Sequence, residues 1–288
     1  MTMTFENKAK TRTGTYLAKL AEVLPRVIFA AYMVLFFLYL FLPLAVMVAA
    51  TFNTSKFPTV TPWLGTTFDW FAALWADQAM WNALRLSLVI SLGVIAISLP
   101  LGTAAALFLN SLQDRSRSFF YALMVSPLLT PGVAIGIATL VLWRQVGVGG
   151  GTLLIVLAQS SFITAYVMLM VAARLQRFDR TLEDAAIGLG ASRFMVFRRI
   201  LLPYLTPSLL AATFIAFLQS FENYNTTLFV RGTQTPLTVY IATKVRTGLT
   251  PAVNALGLIL IALTIVAAVT YELSRRNNRQ KSVRSNSG

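Results

Sequence analysis

The chain of 288 residues is 57% hydrophobic and 12% charged, about half the charged share of a soluble globular domain. So much apolar surface cannot be kept from water without a bilayer, which excludes the soluble class. The net charge is +14, and there is no Cys and no His; disulfides and thiol chemistry are excluded, and the commonest general base and metal ligand are missing.

A helix needs about 20 apolar residues to cross the hydrocarbon core, and six stretches qualify: 27–50, 84–109, 119–142, 152–173, 205–230 and 255–273. A basic tail, 1–26, precedes the first. That first apolar run is longer than the roughly 7–15 residues of a signal-peptide core, so it reads as an uncleaved span. Residues 51–83 are rich in Trp and Phe (Trp63, Phe68, Trp70, Phe71, Trp75, Trp81), as in a belt at the membrane surface. In the third stretch Ser126, Pro127, Thr130 and Pro131 either mark a kink or simply pack. Gly147, Gly149, Gly150 and Gly151 make a tight turn before the fourth. The fifth is interrupted by polar residues: on a continuous helix Gln219, Glu222, Asn225 and Thr226 fall on one face. Leu237, Tyr240, Ile241 and Val245 have the spacing of a short amphipathic helix at the interface. The last stretch leads into a basic tail, 274–288.

The cations set the orientation. One side receives Lys8, Lys10, Arg12, Lys19, Arg26, Arg115, Arg117, Arg174, Arg177, Arg180, Arg193, Arg198, Arg199, Arg275, Arg276, Arg279, Lys281 and Arg284; the other receives Lys56, Arg85, Arg144, Arg231, Lys244 and Arg246. Positive residues stay inside, so both termini are expected in the cytoplasm, as six crossings require. Charge arranged between apolar runs argues for a membrane partner and against nucleic acid.

The long inside segment, 174–204, is too polar to cross and too patterned for a loose linker. Thr181 followed by Asp184 reads as a capping box opening a short helix, with Asp184 also at the positive end of the dipole. Gly190 supplies the stop. Ser192 caps a second helix over 193–202, and Pro203 and Pro207 are expected to break or bend the chain as it re-enters the bilayer.

Asp184-Ala185-Ala186, then Gly190, then Ile200, Leu202 and Pro203 resemble the cytoplasmic motif of ABC-superfamily importer permeases. That motif runs Glu-Ala-Ala, three residues, Gly, nine residues, Ile, any residue, Leu, Pro. The single departure is Asp for Glu. The resemblance covers about residues 27–273. It includes Asn82-Ala83-Leu84, Gly102, Ala104–Ala106 and Pro127…Pro131-Gly132. The stretch Phe221-Glu222-Asn223-Tyr224 through Arg231-Gly232, with Leu237 and Pro251–Leu256, is similar to the permease group that imports spermidine and putrescine.

The resemblance implies an all-α membrane protein with six transmembrane helices and the type I ABC importer permease fold, in the bacterial inner membrane. It also implies partners: a second permease, two cytoplasmic ATPases and a periplasmic solute-binding protein. No cofactor is expected on this chain, since ATP and Mg²⁺ belong to the ATPase and the sequence has no G-x-x-x-x-G-K-[ST] phosphate cradle. Asp184, Ala185, Ala186, Gly190, Ile200, Leu202 and Pro203 would form the coupling element. Arg193, Arg198 and Arg199 either pair with acids of the ATPase or face water. Glu222 is costly in hydrocarbon and a functional candidate; with Gln219, Asn225 and Thr226 it either lines the pathway of a cationic solute or bonds a neighbouring helix. The same importer class with a different solute (an opine, an amino-acid derivative or ferric ion) is one alternative, and a channel or secondary transporter acting alone is the rival reading. Such proteins show repeats or paired intramembrane charges, and the coupling motif is not explained by it. A membrane-embedded enzyme lacks His, Cys and paired carboxylates within the spans.

Overall fold

A computed structural model describes the backbone of residues 3–248 and 251–285; the side chains of the basic tails 1–26 and 274–288 lie, Leu24 to Arg26 apart, outside the described residues. The described residues form twelve α-helices: α1 (Met3–Phe52), α2 (Asp69–Ala76), α3 (Gln78–Ser111), α4 (Asp114–Leu129), α5 (Gly132–Gln145), α6 (Thr152–Leu175), α7 (Thr181–Gly188), α8 (Arg193–Val196), α9 (Leu202–Phe221), α10 (Asn225–Val230), α11 (Leu237–Thr247) and α12 (Pro251–Ser285). Among them the only β pairing is an isolated bridge between Asn53 and Thr66. The chain divides into two compact units, Met1–Ala76 with Leu249–Gly288, and Asp77–Gly248.

In the first unit α12 packs on α1 and α2. An 18-residue stretch within Leu24–Phe52 of α1 has a mean hydropathy of 2.6, and most side chains of Leu24–Phe52 are exposed. A helix that is apolar and exposed on all sides suits lipid or another subunit, not water. The following loop is organised by Asn53, which is fully buried. Its amide donates to the carbonyls of Thr59 and Pro62, and its oxygen accepts from the N–H groups of Ser55 and Leu64. The Trp70 indole donates to the Asn53 carbonyl at 2.8 Å. Trp63, Phe68 and Trp75 remain exposed.

In the second unit α6 is the buried centre. Leu154, Ile155, Ile163, Val167 and Met168 are fully enclosed, against α3 and α9. A helix apolar all round is stable only in such a position or in lipid.

Among the described residues four helical stretches are long and apolar enough to cross a bilayer: Leu24–Phe52, Gln78–Ser111, Thr152–Leu175 and Arg193–Phe221. The third expected span differs. It is two helices, Arg115–Leu129 and Gly132–Gln145, bent by 101°. Pro131 has no N–H and its ring clashes with the carbonyl four residues back, while Thr130 before it is extended, at φ −86° and ψ 130°. Pro251–Val266 is a shorter apolar helix at the start of α12.

The fifth span is also corrected, at both ends. Pro203 and Pro207 do not break it, for Arg193–Phe221 is one continuous stretch. A wide π turn at Phe197–Leu201, closed by the Leu202 N–H on the Phe197 carbonyl, carries the helix into Pro203, where a missing N–H costs little. The C-terminal end stops at Phe221 instead of running to residue 230.

The expected capping box at Thr181 is absent. Asp179 accepts from the Thr181 N–H at 3.0 Å and from its hydroxyl at 2.8 Å, so the acid bonded to Thr181 precedes the helix, while Glu183 and Asp184 lie in its first turn. This pairing holds the Asp179 carboxyl below its ordinary range. Ser192 does cap α8, accepting from Met195 N–H.

Candidate functional site

A cavity of about 350 Å³ opens in the second unit where two helix breaks meet. One is the α4–α5 bend, which contributes Pro127, Thr130 and Gly132; the other separates α9 from α10 and contributes Glu222, Asn223 and Tyr224. Phe162 and Tyr166 of α6 form a wall. The α5 and α10 backbones approach closely: a Cβ at Gly136 would lie 2.8 Å from the Thr226 carbonyl oxygen, so this contact requires glycine.

Gln219, Glu222, Asn225 and Thr226 all line this cavity, but not as one helical face. The helix ends between them, and the break gathers them. Its cause is Asn223, whose side-chain oxygen accepts from Thr226 N–H at 3.2 Å and Thr227 N–H at 3.3 Å. A side chain that caps the next helix competes with continuation of the previous one. Glu222 is exposed at the C-cap of α9, where the negative end of the helix dipole adds to its charge. Asn225 is exposed, Gln219 half-buried and Thr226 fully buried.

Sequence reading missed what holds the break. Gln159, 1% exposed, donates to the Thr227 hydroxyl at 2.8 Å and accepts from Ser220 Oγ at 2.5 Å. Thr227 Oγ1 lies 3.3 Å from the Asn223 oxygen. One buried amide thus ties α6 to both sides of the break. A Gln amid the apolar run 152–173 was the available signal, since buried polar groups demand partners.

On the opposite side of the sequence pattern, Asp184 and Ala185 are exposed on α7 and Ala186 is half-buried. Gly190 follows with φ +87°, a left-handed conformation that glycine takes without a Cβ penalty. Leu189 (90% exposed) and Phe194 (71%) flank it. Ile200 is half-buried, Leu202 and Pro203 exposed, and Leu201 between them buried. The unspecified position of the motif is therefore the one facing the core. Arg174 anchors the base of the segment, with its guanidinium 4.2 Å from the centre of the Tyr204 ring. Arg193, Arg198 and Arg199 are exposed.

Residues 98–280, which include both the cavity and this surface, match the family described as Binding-protein-dependent transport system inner membrane component. The chain belongs to this family of transport-system membrane components. Among its relatives are the Putrescine transport system permease protein PotI of Escherichia coli (strain K12), 35% identical over 254 residues, covering 85% of this chain and 90% of the relative. The Spermidine/putrescine transport system permease protein PotC of the same strain is 28% identical over 255 residues, covering 88% and 95%.

Solved structures share the fold. The bacterial alginate ABC transporter in complex with alginate pentasaccharide-bound periplasmic protein superimposes with a TM-score of 0.66 at 16% identity, covering 85% of this chain and 91% of that chain. An amino acid ABC transporter with histidines gives 0.53 at 18% identity, covering 72% and 98%. The all-helical architecture is thus the ABC transporter permease fold, and this family member is an inner-membrane transport component.

Proposed function

We propose that this chain is the permease of an ATP-driven importer that passes a small organic cation of polyamine type from a periplasmic binding protein to the cytoplasm. The observation that carries the solute class is Glu222 at the negative end of α9, in a cavity walled by Phe162, Tyr166 and Tyr224. An ammonium group gains from a nearby carboxylate and from aromatic faces, while an anion loses. The names of PotI and PotC support the same class. The broken helices around the cavity are the arrangement in which irregular backbone at membrane depth is tolerated.

In this reading the chain crosses the membrane six times with both ends in the cytoplasm. It pairs with a second, different permease and two copies of an ATPase that bind ATP and Mg²⁺; this chain holds no cofactor. The segment from Asp184 to Pro203 contacts the ATPase. Exposed apolar residues on a cytoplasmic helix, small side chains at Ala185 and Ala186, and the turn at Gly190 support that assignment. ATP-driven closure would tilt the spans as rigid bodies.

The test is uptake by the complete complex in vesicles with ATP enclosed. Putrescine or spermidine should enter, and an isosteric neutral diol or a dicarboxylate should not compete. Uptake without ATP would overturn the importer mechanism. Competition by the neutral or anionic compound, with putrescine excluded, would overturn the solute class alone.

A further inference from the structure

We infer that Arg180 is a positioning residue that fixes the proposed coupling helix to α3, and that α3, beside the covalent links to α6 and α9, receives the stroke of the ATPase. The inference rests on the reading of α7 as the ATPase contact. Arg180 joins two helix ends. Its carbonyl accepts the first N–H bonds of α7, from Glu183 at 3.0 Å and Asp184 at 3.2 Å. Its guanidinium donates to the Asn110 carbonyl and to the Asn110 side-chain oxygen, each at 2.9 Å.

Asn110 is the next-to-last residue of α3. The last four carbonyls of a helix have no donor within it, and the helix dipole places partial negative charge there. A guanidinium is suited to both acceptors at once. The contact spans 70 residues of chain, so it is tertiary, not a local turn.

Among the described residues none of the α7 side chains is buried, and the helix it packs against most is the short α8. A helix without a core face takes its orientation from its polar ties. By contrast α3 is packed along both α6 and α9, and its other end, through Ser87 Oγ and Asp77, holds α11. From α11, Thr238 donates to the Asn223 carbonyl in the break beside the cavity. Movement of α7 delivered to α3 at Asn110 therefore reaches α11, which is hydrogen-bonded to Asn223, a residue that lines the cavity.

The experiment compares Arg180→Ala, Arg180→Lys, Asn110→Ala and the double alanine variant in the assembled complex, reading uptake and ATP hydrolysis together. For Arg180→Ala, uptake per ATP should fall about fivefold, the factor carried by one modest contact, with the ATPase still bound. Lys keeps the charge and one donor, so it should recover part of the ratio. The Asn110 variant retains its carbonyl and should lose less, and the double variant should resemble Arg180→Ala, as residues acting through one contact do. An unchanged ratio, effects that add, or loss of the ATPase from the complex would each overturn the inference. Failure of the underlying reading looks different: a photo-cross-linker at Ala186 would then capture no ATPase even in the wild-type background.

Discussion

Tyr240 donates its phenolic hydrogen to the Asp77 carboxylate across 163 residues of chain, at 2.5 Å. The same carboxylate caps α3, accepting from Met80 N–H at 3.0 Å, and lies 3.7 Å from Lys244 Nζ. Burial opposes ionisation of Asp77, but the Tyr240 hydroxyl, the Met80 N–H and Lys244 outweigh it and hold the carboxyl below its ordinary range. Burial and the neighbouring charge push the Tyr240 phenol well above its own. One acid thus caps a long helix and latches the amphipathic α11, whose inner face, Leu237, Val239 and Tyr240, is buried.

The latch should have a pH plateau. A depressed Asp pKa gives stability that is present above the unfolded value, about 4, and is lost as pH falls through the folded value; a raised Tyr pKa gives stability present below about 10 and lost as pH rises through the folded value. Tyr240→Phe should lower stability by about 1–2 kcal/mol, as for a hydrogen bond to a charged group. Lys244→Ala should cost less, about 0–1 kcal/mol, because the pair is largely solvated. Thermal unfolding of the purified complex between pH 4 and 10 reads both. Equal melting points for wild type and Tyr240→Phe would remove the latch.

Asn223→Ala should loosen the break. It deletes the oxygen that accepts from Thr226 and Thr227 N–H, a capping loss of about 1 kcal/mol. With the Cys-free background, a Cys at Asn225 should react faster with a thiol reagent in the Asn223→Ala variant. Unchanged labelling would show that Gln159 alone holds the break.

The turn at Gly190 was legible because it is local. The spacing from Asp184 to Pro203 and the positive φ at Gly190 follow from residues close in sequence. The cavity was only half legible. Hydropathy joined residues 205–230 into one span, since polar residues averaged over a window do not announce a helix end; the Asn223 cap decided it. Gln159, Ser220 and Thr227 were invisible as a set because their pairing depends on packing of α6 against α9 and α10, with sequence separations of 61 and 68. The prolines behave differently: the kink expected as one outcome at Pro131 is present, at 101°, while the break allowed for at Pro203 is not. Pro131 follows an extended Thr130 and turns the chain sharply, whereas Pro203 sits where a π turn absorbs it.

Bulk at the coupling turn should separate transport from assembly in the membrane. Gly190→Val places a β-branched residue at φ +87°, a strained conformation, and Ala186→Trp adds volume to a half-buried position on α7. Both variants should insert normally, while uptake falls at least about tenfold, a change of roughly 1.4 kcal/mol in the coupling step. Wild-type uptake from Gly190→Val would place the ATPase contact elsewhere.

Orientation is testable with single cysteines. A Cys at Thr66 or Gly150 should react with a membrane-impermeant reagent from the periplasmic side, and one at Ser192 only after the cytoplasmic face is opened. The eighteen-to-six distribution of cations motivates this, through the positive-inside rule. Labelling of Gly150→Cys only from the cytoplasm would reject six crossings with both ends inside.

The charge of Glu222 is the sharpest test of the solute class. Glu222→Gln keeps shape and hydrogen-bonding capacity in the cavity but removes the negative charge that stands at the end of α9. If that charge draws an ammonium group, uptake should fall about tenfold at low salt, equivalent to roughly 1.4 kcal/mol. The difference from wild type should shrink as ionic strength rises, because Glu222 is exposed and the Debye length contracts from about 30 Å at 0.01 M to 10 Å at 0.1 M. Affinity of the separate binding protein for putrescine should not change, since the substitution is not in that protein. Measuring uptake in vesicles across this salt range, with binding-protein affinity as the control, distinguishes attraction from architecture. Equal low-salt rates would make Glu222 a structural terminus of α9; an equal deficit at every salt concentration would mean that the substitution disturbs the break itself and not the approach of a cation.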